Sequence, residues 1–389
     1  MGAFDTGIYR NVFAEIGKTD EEIQTKLENA RNTFFYGNEE ERIYHQVGAD
    51  MGYLEDTGNH DVRTEGMSYG MMMCVQLDMK EEFDRIWKWS KTYMYLEEGE
   101  NEGYFAWSCK TNGEKNAYGP APDGEEYYAM ALFFASHRWG DGQGIFNYGQ
   151  EARNILKACI HKGENKRQGA PMWNRENKQI LFVPGCEFTD PSYHLPHYYE
   201  LFALWADEED RDFWKLAADA SRRYLALACH SVTGMSPEYG EFDGSPVDKE
   251  MQWGGRHNLF YSDAYRTVAN IGLDFVWFGI DKGHYGAPIR LMRFLKTDLE
   301  AARCAFEVDG TPTEQTVLHP VGLLAATAQG ALAVPHGNRK GCADDWEIAK
   351  QWVEWFWNQP LRRGERRYYD NCLYLFALLA LSGNYRIYC

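Results

Sequence analysis

The sequence predicts an all-α chain folded as an (α/α)6 barrel, six inner helices wrapped by six outer ones, in a single domain over residues 1–389. Three observations carry this. Helical periodicity recurs throughout and marks twelve stretches. Successive stretches alternate between amphipathic and apolar on every side, and a helix apolar all round is buried all round. No Pro/Ser-rich linker, low-complexity tract or repeat of fixed length divides the chain or points to a solenoid. Two concentric rings bury every second helix of twelve; an irregular helical bundle is the alternative.

The expected helices cover roughly 20–35, 64–79, 80–96, 123–139, 147–161, 191–206, 207–229, 261–279, 284–302, 320–334, 342–358 and 368–382. In the first, Thr19 and Glu22 form a capping box, and Ile23, Leu27, Ala30 and Phe34 lay one stripe on an otherwise charged helix. The second is almost wholly apolar from Met67 to Val75, and the fourth from Tyr127 to Ala135. In the seventh, Asp207 is the expected cap. Phe213, Ala217 and Tyr224 lie near one face, with Asp210, Arg211, Asp212, Arg222 and Arg223 over the rest. The tenth is apolar from Val321 to Val334 and the twelfth from Cys372 to Leu381.

Parallel inner helices would share one end for their N-termini, and unusual polar residues collect there. Glu65 opens the second helix, Asp123 the fourth, Asp190 and Tyr193 the sixth, and Asp263 the eighth. His319 precedes the tenth, and Tyr369 and Asp370 open the twelfth. The aromatic segments Tyr104–Trp107, Pro171–Asn174 and Trp253–Tyr261 lead into these ends. Long loops at one end of a rigid scaffold are where a cleft is expected.

A net charge of −18 argues against nucleic acid or anionic lipid as the main partner and favours a neutral substrate. Aromatic residues reach 15%, with 13 Trp and 25 Tyr; their flat faces suit a pyranose, although core packing accounts for most of them. Nine cysteines, an odd number without a C-x-x-C, point to reduced thiols rather than a disulfide framework or zinc ribbon. Met1–Asp20 lacks a basic flank followed by an apolar stretch, so no secretory signal is expected. Met1–Thr6 fits the loose myristoylation pattern, too short to carry weight alone. The apolar stretch Cys372–Leu381 is about half the ~20 residues a membrane span needs. A cytoplasmic protein without membrane attachment is expected.

The chemistry lies at the helix starts. Asp61 reads as an acid complementing a helix N-terminus. Glu65 is flanked by Gly66, Ser68, Tyr69 and Gly70, and glycine lets another group approach the backbone, so Glu65 is a candidate catalytic residue. Gly66–Gly70 also matches G-x-S-x-G, but a nucleophile elbow needs a preceding strand and Asp61–Thr64 has no β-run. Asp123 follows the stiff Pro120-Ala121-Pro122 and precedes Gly124, so it is fixed; helix capping is its other reading, and Glu125 and Glu126 are expected to serve the same helix end. A carboxylate held beside another raises its neighbour's pKa, as a general acid requires. Asp263 opens a buried helix among aromatics; its alternative is a cap paired with Arg266. His194 and His197 lack a second cluster to complete a metal set and are expected in packing or substrate contact. No phosphate-cradling or dinucleotide glycine motif is present, so no metal or cofactor is expected.

Ala121-x-Asp123-Gly124 with Ala129-x-Ala131-Leu132, Ala135 and Trp139 resembles the signature of glycoside hydrolase family 8. Pro122, Glu125 and Tyr128 depart from the usual Ser or Thr, Asp, and Ile or Met. Val62–Met73, Gly119–Trp139, Thr189–Leu204, Phe260–Gly272, Leu318–Gly322 and Arg366–Gly383 resemble its branch of exo-oligoxylanases, which release xylose from reducing ends. The resemblance implies an (α/α)6 barrel, inversion and no metal. It implies Glu65 as general acid, Asp263 as general base and Asp123 as holder of the distorted sugar. It places Arg63, Trp107, Tyr193, His319 and Tyr369 at the substrate, with the turn Leu318-His319-Pro320 walling off the aglycone side. The implied partner is a xylooligosaccharide, bound by a monomer or weak homo-oligomer. An endo-acting β-1,4-xylanase or glucanase of the same family is the nearest alternative. A non-catalytic oligosaccharide-binding protein, or a lyase or unsaturated-glucuronyl hydrolase on a similar barrel, lies further off.

Overall fold

Helices apolar on every face have to be surrounded by protein, and the chain achieves this by alternating them with helices that have one dry side. The computed structural model describes residues 1–166, 168–295, 304–336 and 343–389. Among the described residues, twelve helices of nine residues or more make two rings. The outer ring is α1 (Asp20–Tyr36), α3 (Lys80–Trp89), α5 (Tyr148–His161), α7 (Arg211–Ala228), α9 (Ala287–Leu295) and α11 (Ala343–Asn358). The inner ring is α2 (Thr64–Leu77), α4 (Pro122–Trp139), α6 (Pro196–Trp205), α8 (Tyr265–Trp277), α10 (Pro320–Gln329) and α12 (Arg367–Leu381). Each inner helix touches the next, and α12 returns to α2, so the ring closes as expected. The apolar runs Met67–Val75, Tyr127–Ala135, Val321–Val334 and Cys372–Leu381 are buried throughout.

The ends of the helices refine the expected boundaries. The capping box at Thr19 is formed, with Glu22 bonding back to the Thr19 N–H at 2.8 Å. The third helix widens after Trp89 into one π turn, Ser90–Met94. The sixth and eighth are entered through 3-10 turns, Pro191–Tyr193 and Ser262–Ala264, so Asp263 stands in a turn just ahead of α8. The ninth begins at Ala287 instead of residue 284; its expected residues 296–302, and residue 342 of the eleventh, lie outside the described residues. Asp207 does not cap α7. Its side chain makes no cap bond, because a 3-10 turn, Glu208–Asp210, intervenes.

Short strands decorate the helical frame, and two of the ribbons lead into the cleft. Strands β1 (Tyr44–Val47) and β2 (Met51–Leu54) pair antiparallel, as do β3 (Asp61–Arg63) and β4 (Ser108–Lys110). A three-stranded sheet joins β5 (Leu259–Phe260), β6 (Cys304–Glu307) and β7 (Pro312–Thr316). The segment before α2 is therefore a strand, against the expectation of none. At three residues it is shorter than any readable alternation.

Aromatic rings fill the barrel axis and floor the cleft. Tyr69 of α2 meets Tyr127 of α4 at 4.7 Å between ring centres and Phe376 of α12 at 5.1 Å, and Tyr127 meets Tyr198 of α6 at 5.1 Å. Such tilted pairs add ~0.5–1.5 kcal/mol each beyond the area they bury. Among the described residues no helix is long and apolar enough to cross a membrane.

Candidate active site

Strand β3 delivers Glu65. The pairing Arg63↔Ser108 and the bond from the Thr64 N–H to the Trp107 carbonyl, 3.0 Å, fix the entry to α2, and Glu65 lies in its first turn. Two glycines then allow close approach. A Cβ on Gly66 would stand 2.5 Å from the Tyr368 hydroxyl, which donates to Glu65 Oε1 at 2.9 Å. A Cβ on Gly124 would stand 2.5 Å from that of Thr64, so only glycine lets the start of α4 press against the start of α2 and set Asp123 beside Glu65.

Arg266 joins the carboxylates. Its Nη1 lies 3.1 Å from Glu65 Oε2, 3.1 Å from Asp123 Oδ2 and 2.6 Å from the Tyr69 hydroxyl. Its Nη2 lies 3.5 Å from Asp263 Oδ1 and 3.8 Å from Asp190 Oδ2. Four inner helices or their entry turns thus meet at one buried guanidinium, and the N-termini do share an end. Glu65 and Asp263 are tied to the two terminal nitrogens of one planar group, so their oxygens stand at most about 9 Å apart, close enough to serve one bond.

One positive charge cannot balance four negative ones. Burial raises the Glu65 carboxyl to about 8, with Asp123 and Asp263 adding to the rise and Arg266 opposing it. Burial and the Asp263 charge likewise lift Asp123, to about 6, against Arg266. Asp190 is raised well above its usual range, first by burial and then by Asp263. These shifts favour a proton on Glu65 at neutral pH. The cluster therefore sets a raised carboxyl near Asp263, which is a third exposed and stands at the open side.

The other expected site residues converge on this end. Trp107 is partly exposed with the Arg63 guanidinium 5.4 Å from its ring, and Arg63 is itself paired to Asp56 and Asp61. Tyr193 and Tyr369 flank Arg266, their ring centres 5.6 and 5.9 Å from it. His319 stands 4.9 Å from the Tyr369 ring, and its Nδ1 is 3.2 Å from Asp370, which also accepts from the Gly322 N–H at 2.6 Å. Arg362 donates to the Leu318 carbonyl at 2.7 Å, so the Leu318-His319-Pro320 turn is tied down at both ends.

Several acids do not do what their positions suggest. Asp61 lies in β3 and accepts from Arg63 and from the Ser108 hydroxyl, 3.0 and 2.8 Å, instead of facing a helix end. Asp123 is not the N-cap of α4; that position is Ala121, and Asp123 follows Pro122 inside the helix. Glu125 and Glu126 are fully buried and bond to the Phe105 N–H and the Tyr199 hydroxyl, both 2.9 Å, because this N-terminus is packed inside the protein. Ser68 is buried in α2 with its hydroxyl on the Glu65 carbonyl, so the G-x-S-x-G match makes no elbow. His194 is held between Thr189 and Ser221, a packing role, and His197 is buried against Tyr198 and Trp277. Among the described residues no group of three or more His, Cys, Asp or Glu is placed to hold a metal ion. Sequence reasoning missed Arg266 as the hub and Tyr368 as the partner of Glu65; Gly66, read as room for a close approach, was the available signal for the latter.

The fold and this carboxylate cluster define a glycoside hydrolase. The chain belongs to glycosyl hydrolases family 8, whose model matches residues 48–382. It is 55% identical over 388 residues to the reducing end xylose-releasing exo-oligoxylanase of Halalkalibacterium halodurans, covering 100% of this chain and 96% of that protein. It is 50% identical over 377 residues to the enzyme of that name from Bifidobacterium adolescentis, covering 97% and 96%. The solved structure of Rex8A from Paenibacillus barcinonensis in complex with xylose superposes with a TM-score of 0.95 at 52% identity, covering 100% of both chains.

Proposed function

We propose that this glycoside hydrolase releases xylose from the reducing end of β-1,4-xylooligosaccharides with inversion, in one catalytic domain that works in the cytoplasm. The observation that carries the mechanism is the placement of Glu65 and Asp263 at the two terminal nitrogens of Arg266. Glu65, protonated at neutral pH, gives its proton to the leaving oxygen. Asp263, on the open side, takes a proton from a water that attacks the opposite face of the sugar. Asp123, next to both, holds the distorted sugar at the cleavage point, and Trp107, Arg63, Tyr193 and Tyr369 contact the chain. Exo action rests on the pinned Leu318-His319-Pro320 turn beside Tyr369 and on relatives named for reducing-end xylose release. A rigid wall there leaves room for one sugar beyond the scissile bond.

A proton NMR time course on xylotriose tests the proposal. Xylose and xylobiose should appear together, with the new end of xylobiose starting as the α anomer; a β start would mean retention. Xylohexaose should first give xylose and the pentamer, whereas early trimer would mean endo action.

The pH profile is a second check. A carboxyl raised by the fold carries its proton up to the raised value, so Glu65 remains a donor until about pH 8. The alkaline limb of kcat/KM on xylotriose should therefore fall near pH 8, and a profile flat to pH 10 would remove Glu65 from the acid role.

A further inference from the structure

Glu65 is held by both of its carboxyl oxygens. Oε2 accepts from Arg266 Nη1 at 3.1 Å, and Oε1 accepts from the Tyr368 hydroxyl at 2.9 Å. A guanidinium has donors only, so it keeps Oε2 as an acceptor and leaves Oε1 as the seat of the acidic proton. Tyr368 is buried, and its ring edge lies on α2 where Gly66 has no side chain. A Cβ there would stand 2.6 Å from the ring as well as 2.5 Å from the hydroxyl. The start of α12, which carries Tyr368, is anchored on both sides of that residue. Arg367 donates to the Glu39 carbonyl at 2.7 Å and to the Arg42 carbonyl at 3.0 Å, and the Tyr369 hydroxyl donates to the Ser262 carbonyl at 3.3 Å. Burial lifts the Tyr368 hydroxyl well above its usual range, so it keeps its own proton.

We propose that Tyr368 is a positioning residue for the general acid: it fixes the plane of the Glu65 carboxyl and donates to Oε1 as the transferred proton leaves that oxygen. This rests on the reading of Glu65 as the acid. A single bond, from Arg266, would leave the carboxyl free to turn about Cγ–Cδ; a second bond, on the other oxygen, stops that rotation. In the step itself the Oε1–H bond breaks and the proton forms a new O–H bond on the leaving sugar oxygen, which takes the electron pair of the broken glycosidic bond. Tyr368 gives up nothing, and its hydrogen bond strengthens as negative charge gathers on Oε1. The titratable and charged groups acting around Glu65 are Arg63 from β3, Tyr69 from α2, Asp123 from α4, Asp263 and Arg266 from the entry and start of α8, and Tyr368, Tyr369 and Cys372 from α12. Of these, Tyr368 is the one bonded to Oε1.

The pH dependence of steady-state kinetics on xylotriose tests this. Tyr368→Phe keeps the ring on Gly66 and removes the donor. A carboxylate that has lost a donor is harder to form, so the alkaline limb of kcat/KM should move up by about one pH unit, the scale of one hydrogen bond to a charged group. At the optimum kcat should fall about 3–30-fold with KM within about two-fold, as a misplaced acid would. A group that served folding alone would lower activity without moving the limb. A folded Tyr368→Phe protein whose limb stays at the parent's pH, or moves down, overturns the proposal. If Tyr368→Phe does not fold, Gly66→Ala displaces the same hydroxyl from Oε1, and an unmoved limb there overturns it equally. Glu65→Gln runs alongside: full turnover by that variant removes the acid assignment itself, whereas an inert Glu65→Gln beside a Tyr368→Phe protein with the parent's limb removes only the positioning role.

Discussion

Replacing Glu65 with Gln should lower kcat on xylotriose by about 10²–10⁴-fold while leaving oligosaccharide binding within a few-fold, the signature of an interaction made in the transition state. The amide has the size of the carboxyl; its oxygen can keep accepting from Arg266 while its NH2 donates to the Tyr368 hydroxyl, which can rotate to accept, so the local packing has little reason to change. What disappears is the transferable proton. A sugar alkoxide leaves poorly without one, whereas a phenolate leaves well. An aryl xylobioside should therefore lose much less activity than xylotriose, and equal losses on both would point to a role other than proton donation. The same substitution has a stability consequence of opposite sign. Because the Glu65 carboxyl is raised to about 8 in the folded chain, the wild-type protein is favoured below the unfolded carboxyl range and loses that contribution as pH rises through about 8. Glutamine carries no such linkage, so the inactive variant should melt higher than the parent at pH 8.

The frame of this molecule was legible because burial repeats along the chain. Met67–Val75 and Cys372–Leu381 have no polar face, and only an inner position accommodates that. The site carboxylates were legible as oddities at the starts of such helices. Their organisation was not. Arg266 is three residues from Asp263, a spacing that reads as an ordinary helix-end pair. Its decisive contacts, with Glu65 and Asp123, span 201 and 143 residues, and no local pattern records them. Glu125 and Glu126 misled for a related reason. Acids at a helix start are normally solvated, but here the start of α4 is enclosed by the Phe105 loop and Tyr199. Position in a helix is written in the sequence, whereas the depth of that position belongs to the assembled barrel.

Arg266→Met is expected to have the largest effect on stability, and the effect should depend on pH. Methionine matches the length of the stem but removes the guanidinium that faces Glu65, Asp123, Asp190 and Asp263 together. Breaking a buried charge network from one side leaves the other side uncompensated, at a cost of ~3–5 kcal/mol. The carboxyls can escape that cost only by taking up protons, so their folded values rise further above the unfolded carboxylate range. A raised carboxyl supports the fold below its unfolded value and stops doing so as pH climbs through its folded one. The variant should then melt close to the parent near pH 4–5 and far below it at pH 8. An equal loss at both would assign the residue to packing, since its stem is as buried as its charge. Equal melting at pH 8 would mean that the carboxyls stand without the arginine, which contradicts its role as their hub. On the proposed mechanism turnover should vanish in either case, because the same group ties Glu65 and Asp263 together.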